Sequence, residues 1–135
     1  MSGWSLAEHQ ADDGVYVVRA RALPAADERA RWPVAVWLGW SFGGAVDEDA
    51  VVEDMIRFEQ VVYDAAERGG WGLLVAVVTT GQGREWLFHA ANATEFRGEL
   101  NALTADETWG PLDLRLFDDP DWEAARELSP RGRLH

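Results

Sequence analysis

Apolar positions along the chain recur with a period of two in some stretches and near 3.6 in others, and the changes of period mark out elements. Val15 to Arg21 alternates, with Val15, Val17, Arg19 and Arg21 on one face and Tyr16, Val18 and Ala20 on the other. This predicts a strand, placed at an edge of a sheet. Pro33 to Trp40 alternates again. Val34, Val36, Leu38 and Trp40 share one face, and Ala35, Trp37 and Gly39 the other. Leu73 to Val78 is a continuous, valine-rich run, as a strand buried on both faces requires. Arg84 to Ala90 mixes aromatics with Arg84, Glu85 and His89. Between these two arms, Thr80-Gly81-Gln82-Gly83 supplies the glycines that a hairpin turn uses at positive φ. Leu112 to Phe117 sends Leu112, Leu114 and Leu116 one way and Asp113, Arg115 and Phe117 the other.

The helical period appears in three places. Asp47 reads as an N-cap, with Glu48 and Asp49 in a first turn that favours anions. The helix runs to about Arg68 and stops at Gly69-Gly70. Val52, Met55, Ile56, Glu59, Val62, Tyr63 and Ala66 form its stripe, and only Glu59 breaks it. Asn92 and Glu95 form a weaker capping box before a second helix with Phe96, Leu100 and Leu103 on one face. Asp119-Pro120 reads as N-cap and first helical position of a short helix that carries Trp122 and ends before Pro130. The first fourteen residues are mixed and polar and end on the turn signal Asp12-Asp13-Gly14. Residues Pro24 to Arg31 read as a charged loop, and 131–135 as a frayed end.

From Pro33 onward the order is strand, helix, strand, strand, helix, strand. That order predicts an α+β fold, a ferredoxin-like sandwich with a mainly antiparallel sheet and both helices on one face. An added N-terminal strand and a short C-terminal helix complete it. At 135 residues the chain is read as a single domain, 1–135, with a core of about 15–128.

Charge narrows the classes of function. The net charge is −12, and all twelve basic residues are arginine. Binding nucleic acid usually takes a clustered basic face, so the acidity argues against it, and equally against an anionic membrane surface. It permits a protein partner with a basic surface. The absence of cysteine excludes disulfides and thiolate catalysis. Met1-Ser-Gly-Trp-Ser5 lacks the pattern of a signal peptide and no apolar run nears the length of a membrane span, so the expected location is cytoplasmic. The eight tryptophans can build a core or a sticky surface.

Candidate chemistry is sparse. Gly39-Trp40-Ser41-Phe42-Gly43 fits the G-x-S-x-G pattern of a nucleophile elbow. Gly44 to Asp47 then separates it from the helix, so a glycine-rich loop is the better reading. His9, His89 and His135 have no second ligand at metal spacing. Asp118, Asp119 and Asp121 read as a helix cap with solvated charge rather than a calcium loop. Thr79 to Arg84 is a turn, with neither the lysine nor the helix N-terminus of a phosphate loop. No catalytic residue, metal or cofactor is assigned.

The remaining candidate is the sheet face away from the helices. With Val36, Trp86, Phe88 and Leu114 towards the helices, Trp37, Glu85, Leu87, His89, Asp113 and Arg115 face away, with Arg19 as a further member. Trp37, Arg84, Glu85, His89 and Arg115 are the candidate binding residues. A bare face with Trp37, Leu87 and Phe117 would be an apolar patch, so a homodimer or a covering segment is expected over it.

Several short stretches carry a family resemblance: Arg31-Trp-Pro-Val-Ala-Val-Trp-Leu38, Val52-Glu53-Asp54 with Phe58-Glu59, and Val77-Val-Thr-Thr-Gly-Gln-Gly-Arg84. Trp86-Leu-Phe88, Asp119-Pro120-Asp-Trp122 and Leu128-Ser-Pro130 complete them. In these the chain resembles the domain-of-unknown-function 695 family of small bacterial proteins, with His89 where many members carry a tyrosine. The resemblance implies association with a domain similar to a protein inhibitor of ribonuclease E, and so regulation by protein contact. The expected function is a non-enzymatic protein-binding or regulatory domain. The alternative is a small-molecule-binding domain or weak hydrolase on the open face, using His89, Glu85 and Arg84 or Arg115.

Overall fold

Each stretch read as alternating folds as a strand, and one further strand joins them. The computed structural model describes residues 4–11, 14–44, 47–105, 109 and 112–128. Among these are six strands, β1 (Trp4–Ala11), β2 (Gly14–Arg21), β3 (Val34–Ser41), β4 (Leu73–Thr80), β5 (Gly83–Ala90) and β6 (Leu112–Asp118). Four helices accompany them, α1 (Ala26–Arg29), α2 (Glu48–Gly69), α3 (Ala93–Thr104) and α4 (Glu123–Leu128). The result is an α+β fold with one antiparallel sheet in the order β1-β2-β4-β5-β3-β6. The readings placed on Asp12-Asp13, Gly110-Pro111, Pro130 and 131–135 lie outside the described residues.

Register decides what each face carries. Val36 lies opposite Phe88 and Leu116, and Leu38 opposite Trp86 and Leu114. These apolar rows share a face, and α2 and α3 bury Met55, Phe58, Val62, Ala66, Phe96 and Leu100 against them. The Asp47 carboxylate accepts the Ala50 N–H at 3.1 Å to open α2, and Gly70, at φ 71°, closes it. The Asn92 side chain accepts the Glu95 N–H at 2.8 Å to open α3.

The opposite face is also covered, over part of its length. Val18, Ala35, Val75, Ala76 and Leu87 pack beneath Trp122 and Ala125. So α4 and the residue before it supply the expected covering segment, and β4 is apolar on both faces because both are buried. All eight tryptophans are at least partly buried, so they build the core and not a sticky surface.

Four expectations need correction. β1 is a full strand where the sequence reads as polar. It pairs along the whole of β2, which therefore sits inside the sheet and not at its edge. A single turn of helix, α1, interrupts the loop at 24–31. Pro120 is not the first helical residue. α4 begins at Glu123, and the Asp119 carboxylate accepts the N–H groups of Glu123 at 2.9 Å and Ala124 at 3.1 Å across a turn.

The β4–β5 hairpin depends on one glycine. Gly83 adopts φ 155°, and a Cβ there would lie 2.2 Å from the Trp40 carbonyl oxygen. That is a backbone atom of the neighbouring strand, which cannot move aside cheaply. Gly83→Ala is therefore expected to lower unfolding free energy by about 2–4 kcal/mol, from strain and overpacking together. A urea melt checks it, and a midpoint equal to the parent's would mean that the hairpin accepts a side chain here.

Candidate functional site

The five candidate binding residues do not form one site. Arg84 lies on the helix-covered face, whereas Trp37, Glu85, His89 and Arg115 lie on the other. Arg19 is also on the helix side, contrary to expectation, because β2 pairs with β4 so that Arg19 sits beside Val77. Three separate arrangements result.

The first is a polar knot centred on Glu59, the residue that breaks the apolar stripe of α2. Its carboxylate pairs with Arg19, lies 3.5 Å from the Arg84 guanidinium, and accepts the Trp86 indole N–H at 2.9 Å. The register explains the convergence. Arg19, Val77 and Trp86 are neighbours across β2, β4 and β5, and Arg84 lies two residues further along β5 on the same face. Burial lowers the proton affinity of Arg84, and Glu59 partly restores it. Trp4 packs nearby with the Arg19 and Arg21 guanidinium groups 5.6 and 5.1 Å from its ring centre, a cation–π arrangement. These arginines are committed to internal partners, so the knot holds β2 and α2 together. Sequence reasoning passed over it, and its signal was the lone carboxylate in the apolar stripe.

The second is His89, which is completely buried. Its ring stacks on Trp122 with centres 3.9 Å apart. Nδ1 lies 2.7 Å from the Trp32 carbonyl oxygen, which fixes Nδ1 as the proton-bearing nitrogen. Nε2 has no hydrogen-bond partner and faces Asp119 Oδ2 at 3.6 Å. The desolvation of this position lowers the imidazole pKa, against smaller opposing effects of Trp32 and Asp119. His89 thus lies sealed under a cover. Ser41, the serine of the elbow pattern, is opposite Gly83, six residues along β5 and so roughly 20 Å away. Its hydroxyl accepts the Gly43 N–H at 3.0 Å. Serine and histidine do not meet.

The third is an open groove at the end of the sheet that α4 leaves uncovered. Its volume is about 710 Å3, and Tyr16, Gly39, Ser41, Val78, Glu85 and Asp113 contribute to its lining. Gly39 is the floor. A Cβ built there would meet Glu85 and Asp113 at 3.8 and 3.9 Å, so the missing side chain leaves a gap between two carboxylate-bearing residues. Arg115 spans both, 4.0 Å from the Glu85 carboxylate and 3.9 Å from that of Asp113. The two acids thus already hold one guanidinium group loosely at their rim. Of the sequence candidates, Glu85 and Arg84 line the groove, and Arg115 reaches its rim through Glu85 and Asp113. Gly39, Tyr16 and Asp113 complete the place, and a glycine in mid-strand was the signal for it.

Among the described residues no group of three or more potential ligands is placed to hold a metal ion, and no helix is long and apolar enough to cross a membrane. No family model, no curated protein and no solved structure matches the chain.

Proposed function

We propose that this chain is a non-catalytic protein-binding domain, and that the groove over Gly39 receives an arginine or lysine side chain of its partner. The observation that carries the reading is the gap at Gly39 between Glu85 and Asp113, which already accommodate the Arg115 head group. The net charge of −12 adds a long-range attraction for a basic surface. The alternative of a hydrolase loses support from the burial of His89 and its distance from Ser41. The sequence β3-α2-β4-β5-α3-β6, with β4-β5-β3-β6 adjacent in that order and both helices on one face, supports the ferredoxin-like description of the core. The resemblance to the domain-of-unknown-function 695 family, whose members are at times joined to a regulatory domain, also fits a role in protein contact.

Gly39→Val tests the groove without damaging the fold. A β-branched residue suits mid-strand, and the first added carbon meets its neighbours at ordinary contact distance. Calorimetry with an arginine-rich peptide should show affinity reduced on the order of tenfold, about 1.4 kcal/mol, with the melting temperature kept or raised. Arg115→Ser should instead strengthen binding, because it removes the internal competitor. Unchanged affinity in both variants would remove the groove from the account.

A further inference from the structure

We propose that His89, Trp122 and α4 form an acid-sensitive latch, in which protonation of His89 releases α4 and uncovers the apolar sheet face beneath it. The cover is held at few points. The Trp122 ring lies on His89, and its indole N–H is shared between the carbonyl oxygens of Arg29 at 3.2 Å and Trp32 at 3.1 Å. Trp122 itself has φ 59°, a left-handed conformation that costs a non-glycine residue energy and that the docked ring must offset. α4 has only six residues and buries Ala125. Beneath the cover lie Ala35, Val75 and Leu87.

His89 stands at the centre of this assembly in its neutral form. Nδ1–H donates to Trp32, and Nε2 is a buried lone pair without a donor. A proton on Nε2 would place a cation where no water reaches. The charged group facing it among the described residues is Asp119, at 3.6 Å, and both carboxylate oxygens of Asp119 already accept N–H groups of α4. Charging the imidazole within the closed cover is therefore unfavourable, and the proton gains its solvation only when the cover lifts. The sign follows from linkage. The closed state holds His89 below the ordinary imidazole value of 6.5, and an imidazole returned to water regains the ordinary value. Well above pH 6.5 both states are neutral and the cover is at full strength. As pH falls below 6.5 the open state takes up the proton first, and docking weakens until the closed state also titrates.

Hydrogen exchange of the Trp122 indole N–H, corrected for intrinsic rate, reads the opening directly on the intact chain. Between pH 6.5 and 5 the opening constant should rise by up to about tenfold per pH unit, the limit for one linked proton. This window lies above the ordinary carboxylate range. His89→Asn keeps an N–H donor for Trp32 but cannot titrate, so its opening constant should not vary with pH. If that variant does not fold, the ring signals of His89 in the parent protein decide, and their titration midpoint should lie below 6.5. A flat opening constant in the parent, the same slope in His89→Asn, a midpoint at or above 6.5, or a cover that tightens in acid would each overturn the latch.

Discussion

Trp122→Ala is expected to lower the unfolding free energy by about 3–5 kcal/mol, the usual cost of deleting a large buried aromatic side chain. The ring is fully buried, stacks on His89 and donates to two carbonyl groups, and Asp119 and Trp32 close around the same point. Total stability of a domain is of the order of 5–15 kcal/mol, so this single loss is a large share of it. The damage should be local as well as global. The α4 signals in an NMR spectrum should collapse toward random-coil positions before the β3–β5 core does, because the core towards α2 and α3 has its own contacts. Gly at 122 relieves the left-handed backbone but not the lost packing, so Trp122→Gly should fall only slightly short of Trp122→Ala in damage. A urea midpoint within error of the parent for either variant would mean that α4 does not cover the sheet in solution.

Glu59→Ala is the second large effect. It leaves the Trp86 indole N–H and the half-buried Arg84 guanidinium without their acceptor, with an expected cost of about 3–5 kcal/mol. Glu59→Gln should cost less, since an amide oxygen still accepts from Trp86. The Arg19 contribution is discounted, because that side chain is 43% exposed and water screens the pair. A double change of Glu59 and Arg84 to leucine should recover part of the loss, because it removes the charge and its unpaired partner, while the Trp86 indole N–H still lacks an acceptor. Chemical denaturation of Glu59→Leu, Arg84→Leu and the double variant measures this coupling. Strict additivity of the two single changes would show that the residues act independently.

The elements legible from the sequence were those with a buried face. The run Leu73 to Val78 was read as doubly buried, and it is, between α2 on one side and Trp122 on the other. The caps at Asp47 and Asn92 were also legible, since each needs only its own next three residues. β1 was not. Its helix-side positions read Trp4, Leu6, Glu8 and Gln10, and the apolar half gives out because an edge strand has nothing to bury there. Leu6 accordingly stays 71% exposed. The candidate residues suffered from a different gap. His89 shares a face with Leu87 and Trp37, which the alternation showed. Its burial depends on Trp122, more than thirty residues later, and no local pattern reports that contact. Arg84 was read as available, although parity places it with Trp86 and Phe88. Its partner Glu59 was visible as an anomaly, but their meeting requires the β2–β4–β5 register.

The proposed function rests on the groove over Gly39, and NMR mapping locates peptide binding residue by residue. An arginine-rich peptide is titrated into the labelled protein at low salt and again near 0.3 M. The expected result is saturable shift changes at the amides of Gly39, Glu85, Asp113 and Arg115, weakened by added salt as screening shortens the reach of the acidic field. Changes spread evenly over the acidic surface of α2, with none concentrated at Gly39, would contradict it.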